Sequence, residues 1–211
     1  MSKRNLTLLT DLYELTMMQG YFHAKDANET VIFDAFYRTN PDGNGFAITA
    51  GLEQVVEYIE NLHFDKEDID YLRTTGLFGE DFLEYLSTFK FTGDIYAIPE
   101  GTVVFPREPL LKVVAPIMEA QLVETAILNM INHQSLIATK ASRVVYAAKG
   151  DGIMEFGLRR AQGPDAGIYG ARAAMIGGCI GTSNVLTGQM FDVPVKGTHA
   201  HSWIMSFPDE Y

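Results

Sequence analysis

Apolar residues recur with the spacing of amphipathic helices in several segments of the first half of the chain. The segment 6–20 carries Thr10 and Asp11 near its start, which favour helix caps, and we predict that it ends at Gly20. Its apolar side chains fall on one face, namely Leu8, Leu12, Leu15 and Met18. Further helices are predicted over 52–62, over the later part of 63–72 after a turn, and over 79–87. The buried side chains expected in the first and last of these are Val55, Val56, Ile59, Phe82, Leu83 and Leu86.

Segments rich in β-branched and aromatic residues, separated by glycine and proline turns, predict strands in the same half. Two of them, 31–38 and 46–50, flank a segment of turn composition at 40–45, which predicts a hairpin with a long loop. Three shorter strands are predicted over 91–98, 102–105 and 110–114. Residues 1–115 are therefore predicted to form an N-terminal α+β domain.

The pattern changes at Pro116. Residues 119–149 lack glycine and proline and predict a long helix, with a break expected near 133–135. A strict alternation follows, with strands predicted over 152–157, over 179–182 and from Val193, and helices over 166–175 and 184–190. Such alternation is typical of a parallel sheet or barrel whose chemistry lies at the carboxyl ends of the strands. We therefore predict an α/β fold in which 116–211 supply a connecting helix and the first strands of a barrel.

The predicted barrel is incomplete within this chain. A (β/α) barrel takes about 250 residues, and only about three of its strands fit before Tyr211 by this pattern. We therefore expect the chain to be the front part of a longer polypeptide.

Polar and glycine-rich segments follow each of the three predicted strands in this alternation. They are 157–165 with Arg159 and Arg160, 177–184 with glycines and hydroxyls, and 197–201. Glycines let a ligand approach the backbone, arginines offer planar forks to phosphate or carboxylate, and helix N-termini accept phosphate. An arginine pair alone is typical of a solvated surface, but all three segments belong to one end of the predicted sheet. The pattern therefore predicts a site for an anionic, phosphorylated substrate.

Two histidines, His199 and His201, lie in the last of these segments. If extended backbone continues from Val193 to His201, both side chains point to the same side. Two imidazoles so placed can share a metal ion when a carboxylate or a further histidine joins them. The other histidines have no ligand spacing, namely His23, His63 and His133. A metal-dependent barrel hydrolase therefore stays open as an alternative.

The amino-acid composition excludes some classes of binding partner and some cellular locations. The chain has 16 basic and 27 acidic residues and a formal charge of −11, which argues against nucleic acid because phosphate contacts need a basic surface. Cys179 is the single cysteine, so an internal disulfide is excluded, and its apolar setting predicts a core residue in a reducing compartment. There is no signal-peptide pattern and no run of about 20 apolar residues. We therefore predict a cytoplasmic protein with no membrane partner.

Four segments together resemble the nicotinate phosphoribosyltransferase family. They are 9–13 (LTDLY), 155–165 (EFGLRRAQGPD), 182–186 (TSNVL) and 197–202 (GTHAHS, without His199). They occur in the family's order and spacing, and the eleven-residue arginine segment is specific. The resemblance implies a ligase-class enzyme of NAD salvage. It would form nicotinate mononucleotide and diphosphate from nicotinate and 5-phosphoribosyl 1-diphosphate, with coupled ATP hydrolysis.

The resemblance also implies roles for individual residues. His201 matches the histidine that ATP phosphorylates, and Thr198 matches a position that binds nicotinate. Arg159 matches an arginine that holds the ribose-borne phosphate or the carboxylate of the ring. Phe156 and Tyr13 match aromatic residues that sandwich the pyridine ring, with Tyr13 coming from the partner subunit. Members of the family use Mg²⁺ and form homodimers with shared active sites, on an α+β domain and an irregular α/β barrel.

Several alternatives stay open beside this resemblance. Quinolinate-type and nicotinamide-type phosphoribosyltransferases share the fold, although nicotinamide-using relatives carry a shorter, different arginine segment. The position of His199 varies in the family, which weakens the metal-pair hypothesis. A dimerisation module without activity is a further alternative. Because the family supplies more of its site beyond Tyr211, we expect the 211-residue chain alone to be inactive.

Overall fold

The computed structural model describes residues 4–24, 29–40, 43 and 45–209. The chain has a mixed α/β fold and divides into two compact units, Met1–Ser135 and Leu136–Tyr211. Within the described ranges, none of the helices combines the length and the apolar character that crossing a membrane requires. Of the predicted turn at 40–45, residues 41, 42 and 44 lie outside the described residues.

The first unit contains five strands and four complete helices among its described residues. The strands are β1 (Thr30–Phe36), β2 (Ala47–Ile48), β3 (Asp94–Ala97), β4 (Val103–Val104) and β5 (Pro109–Pro116). The helices are α1 (Leu12–His23), α2 (Leu52–Glu60), α3 (Lys66–Thr74) and α4 (Glu80–Ser87). The predicted helices over 52–62, 63–72 and 79–87 are thus confirmed, with ends that move by a few residues.

The predicted hairpin between the first two strands is wrong. β1 pairs with β5 in antiparallel register, from Thr30 opposite Pro116 to Ala35 opposite Leu111. The order of this sheet is β1-β5-β3, and β2 pairs separately with β4. β5 takes the centre because alternate residues on it are buried, including Leu111, Val113 and Ala115. Pairing of this kind depends on burial across the sheet, which a local turn signal does not report.

Helix α1 differs from its predicted bounds at both ends. Residues 6–9 form a turn closed by the Leu9 amide on the Leu6 carbonyl (2.8 Å), and the helix begins at Leu12. It continues through Gly20 to His23. Leu15 and Met18 are buried as predicted, whereas Leu12 is exposed.

The core of the first unit confirms most of the predicted apolar faces. Phe82, Leu83 and Leu86 are fully buried on α4. On α2 the buried face runs through Val55 and Tyr58, and Val56 is exposed, so its predicted burial is wrong. Tyr58 rather than Val56 shares the buried face with Val55, because helix positions three apart lie on one face and adjacent positions do not.

The long helix α5 (Ile117–Ala147) is continuous, so the break expected near 133–135 is absent. Gln134 and Ser135 are fully buried, and each forms hydrogen bonds with residues outside α5. The Ser135 hydroxyl donates to the Ala50 carbonyl and accepts from the Ala50 amide, both at 3.0 Å. Gln134 donates to the Gln54 side chain at 2.8 Å. Because these polar groups are satisfied by neighbouring segments, they do not interrupt the helix.

The second unit contains short parallel strands that alternate with helices. They are β6 (Met154–Glu155), α6 (Pro164–Ile176), β7 (Gly181–Thr182), α7 (Val185–Phe191) and α8 (His201–Met205). β6 and β7 are parallel, and Val195 forms a parallel bridge to Thr182. The predicted parallel alternation is confirmed, although the third strand is reduced to that bridge. β5 ends and α5 begins at the predicted change of pattern, and the division into domains 1–115 and 116–211 stays a prediction.

Candidate active site at the strand ends of the second unit

Three segments leave the same edge of the parallel arrangement in the second unit. Glu155 lies opposite Thr182, and Thr182 bridges Val195 in the same direction. The Thr182 amide donates to the Pro194 carbonyl at 3.0 Å, and the Lys196 amide donates to the Thr182 carbonyl at 2.9 Å. The segments after Glu155, Thr182 and Val195 therefore begin side by side, at the end of the strands where α/β proteins bind their ligands.

A polar network joins the first two of these segments. The Thr182 hydroxyl donates to one oxygen of the Glu155 carboxylate at 2.6 Å, and the Gly157 amide donates to the other. The same hydroxyl accepts from the Asn184 amide at 3.0 Å. The Ser183 amide donates to the Glu155 carbonyl at 3.0 Å. Since Thr182 is fully buried, each of these bonds is expensive to lose.

Asn184 extends the network to both neighbouring helices. It is the N-cap of α7, and its side-chain oxygen accepts from the Thr187 amide at 3.3 Å. Its side-chain nitrogen donates to the Gly167 carbonyl of α6 at 3.1 Å. The Thr187 hydroxyl donates to the Ile168 carbonyl, also on α6, at 3.2 Å. The strand ends and the first turns of both helices are thus held in one arrangement.

The arginine segment starts directly from this network. Residues Leu158–Arg160 form a single 3-10 turn, closed by the Arg160 amide on the Gly157 carbonyl at 2.8 Å. Arg159 and Arg160 are exposed, and Phe156 is 37% exposed. Gly157 carries the bond to Glu155, so the carboxylate fixes the backbone from which both arginines extend. Exposed guanidinium groups on a fixed turn are suited to hold a phosphate or a carboxylate.

The third segment differs from its prediction in conformation. After Lys196 the chain has no regular structure until Ala200, which is the N-cap of α8. His201 is the first residue of that helix, so extended backbone does not continue to His201, and the condition under which both histidines would point to the same side is not met. Thr198, His199 and His201 are all exposed. The strand ends earlier because only Val195 finds a bridging partner on β7.

Metal-ligating side chains are not gathered in this region. Across the part of the chain that the structure describes, no three His, Cys, Asp or Glu side chains form a group that could hold an ion. Both oxygens of Glu155 already accept hydrogen bonds. Cys179 is buried, and burial raises the pKa of its thiol, as expected of a core residue.

Tyr13, the remaining predicted site residue, lies on α1 in the first unit and is 47% exposed. A hydrogen bond to Glu14, followed by desolvation and the charges of Glu14 and Glu124, raises the pKa of Tyr13 to about 12. The pKa of Glu124 is raised as well, first by burial and then by the charge of Glu14. The raised pKa keeps the phenol protonated, and able to donate a hydrogen bond, at alkaline pH as well as at physiological pH.

The first unit also has an apolar groove of about 450 Å³. It lies between β1, β5 and α5, and its walls include Phe33, Phe36, Leu111, Val123 and Ile127. Two acidic residues, Asp34 and Glu124, are its charged lining. The five predicted site residues are outside it.

The sequence predicts no role for the residues that organise the second unit. Glu155, Thr182 and Asn184 are part of the segments that carry the family resemblance, and Asn184 is the first residue of the helix predicted over 184–190. Two signals point to them in retrospect. Polar residues end two strands, and an asparagine at the start of a helix is a favoured N-cap.

Comparison with known proteins decides the family. The model of the nicotinate phosphoribosyltransferase (NAPRTase) N-terminal domain matches residues 8–132. The chain belongs to the nicotinate phosphoribosyltransferase family. Nicotinate phosphoribosyltransferase pncB2 of Mycobacterium tuberculosis is 48% identical over 203 residues, which are 96% of this chain and 44% of that protein. The nicotinate phosphoribosyltransferase of Bacillus subtilis is 47% identical over 207 residues, 98% of this chain and 42% of that protein.

One solved structure agrees with this family assignment, and a second, of a differently named protein, has a similar fold. The crystal structure of human nicotinic acid phosphoribosyltransferase superposes with a TM-score of 0.86 at 39% identity, covering 94% of this chain and 40% of that one. A nicotinate-nucleotide pyrophosphorylase from Pyrococcus furiosus gives a TM-score of 0.77 at 27% identity, covering 98% of this chain and 45% of that one. This nicotinate phosphoribosyltransferase family member thus spans less than half the length of the relatives that it matches.

Proposed function

We propose that the full-length protein is an ATP-dependent, ligase-class nicotinate phosphoribosyltransferase of NAD salvage. It would form nicotinate mononucleotide and diphosphate from nicotinate and 5-phosphoribosyl 1-diphosphate. The observation that carries the proposal is the 48% identity to the M. tuberculosis enzyme across 96% of this chain. We place the protein in the cytoplasm and its second unit at the start of an irregular α/β barrel.

The strand ends of the second unit support this chemistry. As the bond between the ribose carbon and the diphosphate lengthens, positive charge develops on the sugar and the ring nitrogen of nicotinate attacks it. Catalysis of this kind depends on positioning the reactants and stabilising the departing negative charge. Arg159 extends from a turn fixed by Glu155 and offers its guanidinium group to the ribose-borne phosphate or to the carboxylate of nicotinate. Arg160 lies on the same turn.

Three residues are proposed to bind the base. Thr198 offers a hydroxyl to nicotinate, and Phe156 presents an exposed ring beside the arginine turn. Tyr13 would stack on the opposite face of the pyridine ring from the partner subunit of a homodimer. Its exposed side chain on α1 is consistent with contact to another molecule.

His201 is proposed to accept the γ-phosphoryl group of ATP on a ring nitrogen, with release of ADP. Later hydrolysis of this phosphohistidine would release phosphate and drive synthesis forward. The side chain is exposed on the first residue of α8, where a nucleotide can reach it. Mg²⁺ is proposed as the cofactor. The described residues do not form a binding group for it by themselves, because no three acidic, histidine or cysteine side chains are gathered there.

The test uses the full-length protein and three bases. Nicotinate, nicotinamide and quinolinate are supplied with 5-phosphoribosyl 1-diphosphate, with and without ATP, and the mononucleotide products are separated by chromatography. We expect turnover of nicotinate, stimulated by ATP. Turnover of quinolinate that needs no ATP would refute the proposed base.

A separate variant tests the proposed phosphorylation of His201. His201→Ala should abolish incorporation of acid-labile label from γ-labelled ATP and reduce ATP-stimulated synthesis by about tenfold or more, a loss of about 1.4 kcal/mol or more of transition-state stabilisation. His199→Ala is the matched control, because it is also an exposed histidine of the same segment, and it should retain the label. Acid-labile label on the His201→Ala protein would disprove the assignment.

A further inference from the structure

The arginine turn (Leu158–Arg160) contacts helix α6 through its first side chain. Leu158 lies against Gly167, the fourth residue of α6. A Cβ added at Gly167 would lie 2.7 Å from the Leu158 Cδ1 atom and 3.6 Å from the Ala161 Cβ atom. Since a separation of 2.7 Å is too short for two carbon atoms, Leu158 occupies the space that a side chain at position 167 would need.

The backbone conformation at position 167 does not require glycine. The Gly167 amide donates to the Gly163 carbonyl at 3.1 Å, which is the ordinary helical pattern. Gly167 is not among the glycines with positive φ. Inside a helix, alanine is favoured over glycine. The close approach of Leu158 is therefore the physical reason for a glycine at this position.

Gly167 is itself held in place by its neighbours. The residue is buried, and its carbonyl accepts from the side-chain nitrogen of Asn184 at 3.1 Å. The Asn184 amide in turn donates to the Thr182 hydroxyl at 3.0 Å. The surface against which Leu158 lies is thus fixed relative to the strand ends.

The arginine turn therefore has two anchors. Glu155 accepts a hydrogen bond from the Gly157 amide, directly before the turn. Leu158 contacts Gly167 from within the turn. A segment held at one point can pivot about it, whereas two points fix its direction. Arg159 follows Leu158 along the chain, so a shift of Leu158 also moves the backbone from which the guanidinium group extends.

We propose that Gly167 is a positioning residue for Arg159, because its lack of a side chain lets Leu158 pack on α6 and fixes the turn from which Arg159 reaches the substrate. This inference rests on the proposed function, in which Arg159 holds the ribose-borne phosphate or the carboxylate of nicotinate. Gly167 is buried, so it acts through Leu158 and not by contact with the substrate.

The test is a double-mutant cycle in the full-length protein with Gly167→Ala, Leu158→Ala and the double variant. Arg159→Ala first identifies which substrate, nicotinate or 5-phosphoribosyl 1-diphosphate, has a KM that depends on the guanidinium group. Gly167→Ala should raise that KM about tenfold, within the loss of about 100-fold that a misplacement of about 1 Å can cause. Leu158→Ala should raise it as well, because it removes the anchor. Adding Gly167→Ala to Leu158→Ala should change nothing further, since the atom that the new methyl group would overlap is gone.

Two control variants separate positioning from helix stability. Gly20→Ala makes the same substitution in α1, where an added Cβ meets no atom within 4 Å, and it should leave this KM unchanged. Leu158→Met keeps an apolar side chain of similar volume and should keep the KM close to the wild-type value. An unchanged KM in Gly167→Ala, or an equal effect of this substitution with and without Leu158, would overturn the inference.

Limited digestion with trypsin reports the turn without turnover. Trypsin cleaves after arginine, and a folded chain is cut where a segment opens. Cleavage after Arg159 or Arg160, located by mass spectrometry, should be at least about fourfold faster in Leu158→Ala, the change expected on losing one buried methyl group. Gly167→Ala should also be cut faster, and Leu158→Met should match the wild-type protein.

The digestion also distinguishes this inference from the proposed function. Faster cleavage of the Gly167→Ala and Leu158→Ala proteins is expected even if the wild-type protein converts no nicotinate. If Arg159→Ala changes neither KM, the proposed role of Arg159 is refuted, and the digestion still shows whether Gly167 and Leu158 anchor the turn. Equal cleavage rates in the wild-type, Gly167→Ala and Leu158→Ala proteins would overturn the inference.

Discussion

The Thr182 hydroxyl serves two neighbours at once, donating to Glu155 and accepting from the Asn184 amide. It is fully buried, so water cannot replace either bond. Glu155 in turn holds the amide of Gly157, two residues before Arg159. A single hydroxyl thus helps to fix the backbone of the proposed phosphate-binding arginine.

Thr182→Val should therefore cost about 1–3 kcal/mol of unfolding free energy, because it keeps the shape and removes the hydroxyl. Thr182→Ser is the matched control and should lose much less, since it keeps the hydroxyl. Chemical denaturation of both variants measures the difference. Equal stability of the valine and serine variants would contradict the network described for Thr182.

At the residue scale, apolar burial is the most predictable property. Phe82, Leu83 and Leu86 follow directly from helical spacing. Glu14 does not, because its buried carboxylate is satisfied by Gln121 and Thr125, two residues distant in sequence. Spacing reports which face of a helix is inside, and it carries no information about which polar groups meet there.

At the scale of elements, the start of α2 shows how closely two segments can approach. Gly51 is the N-cap of α2 and has φ 106°. A Cβ there would lie 2.7 Å from the Met130 carbonyl oxygen and 3.0 Å from the Ile131 Cα, both on α5. The backbone of α5 therefore occupies the space that any other residue would need. Glycine adopts the positive φ without strain and, because it has no Cβ, leaves room for the α5 backbone.

Gly51→Ala should destabilise the protein by about 2–4 kcal/mol, from left-handed backbone strain and overpacking combined. Gly20→Ala offers the opposite control within α1. Gly20 is exposed, and a Cβ added there would have no atom within 4 Å, so alanine there should stabilise the helix by about 0.5–1 kcal/mol. Thermal unfolding measures both changes. A stabilised Gly51→Ala protein would show that α5 lies elsewhere.

The sequence predicted which segments are helices or strands better than it predicted which strands pair. The parallel alternation of the second unit follows from its pattern, because connecting helices force neighbouring strands to run the same way. The pairing of β1 with β5 could not be predicted, since some 75 residues separate them and the intervening turn signals favour β2. The brief third strand and the early start of α8 likewise depend on contacts to β7.

At the scale of the whole molecule, the chain accounts for 44% of the M. tuberculosis relative. Its second unit holds two short parallel strands and one bridge among the described residues. The proposed site takes an arginine turn, a hydroxyl and a histidine from this unit, and the partner subunit's Tyr13 completes it. The remaining parts of a phosphoribosyltransferase site are expected from the rest of the protein.

The 211-residue chain alone should therefore form no detectable nicotinate mononucleotide, whereas the full-length protein should form it readily. Both are assayed by chromatography with nicotinate, 5-phosphoribosyl 1-diphosphate, Mg²⁺ and ATP. Circular dichroism of the shorter chain verifies that it is folded in the same buffer. Product from the shorter chain at a comparable rate would mean that the described residues already make a complete site.

The continuity of α5 bears on the order in which the chain folds. The helix has 31 residues, and the boundary between the units falls inside it, after Ser135. The first helical turn is the costly step, and further residues add to an existing helix at little cost. Leu122, Val123 and Ala126 are fully buried in the core of the first unit, so the nucleus can form there. We expect residues 136–147 to propagate from that nucleus in the direction of synthesis, so that the second unit starts folding with its first helix already begun.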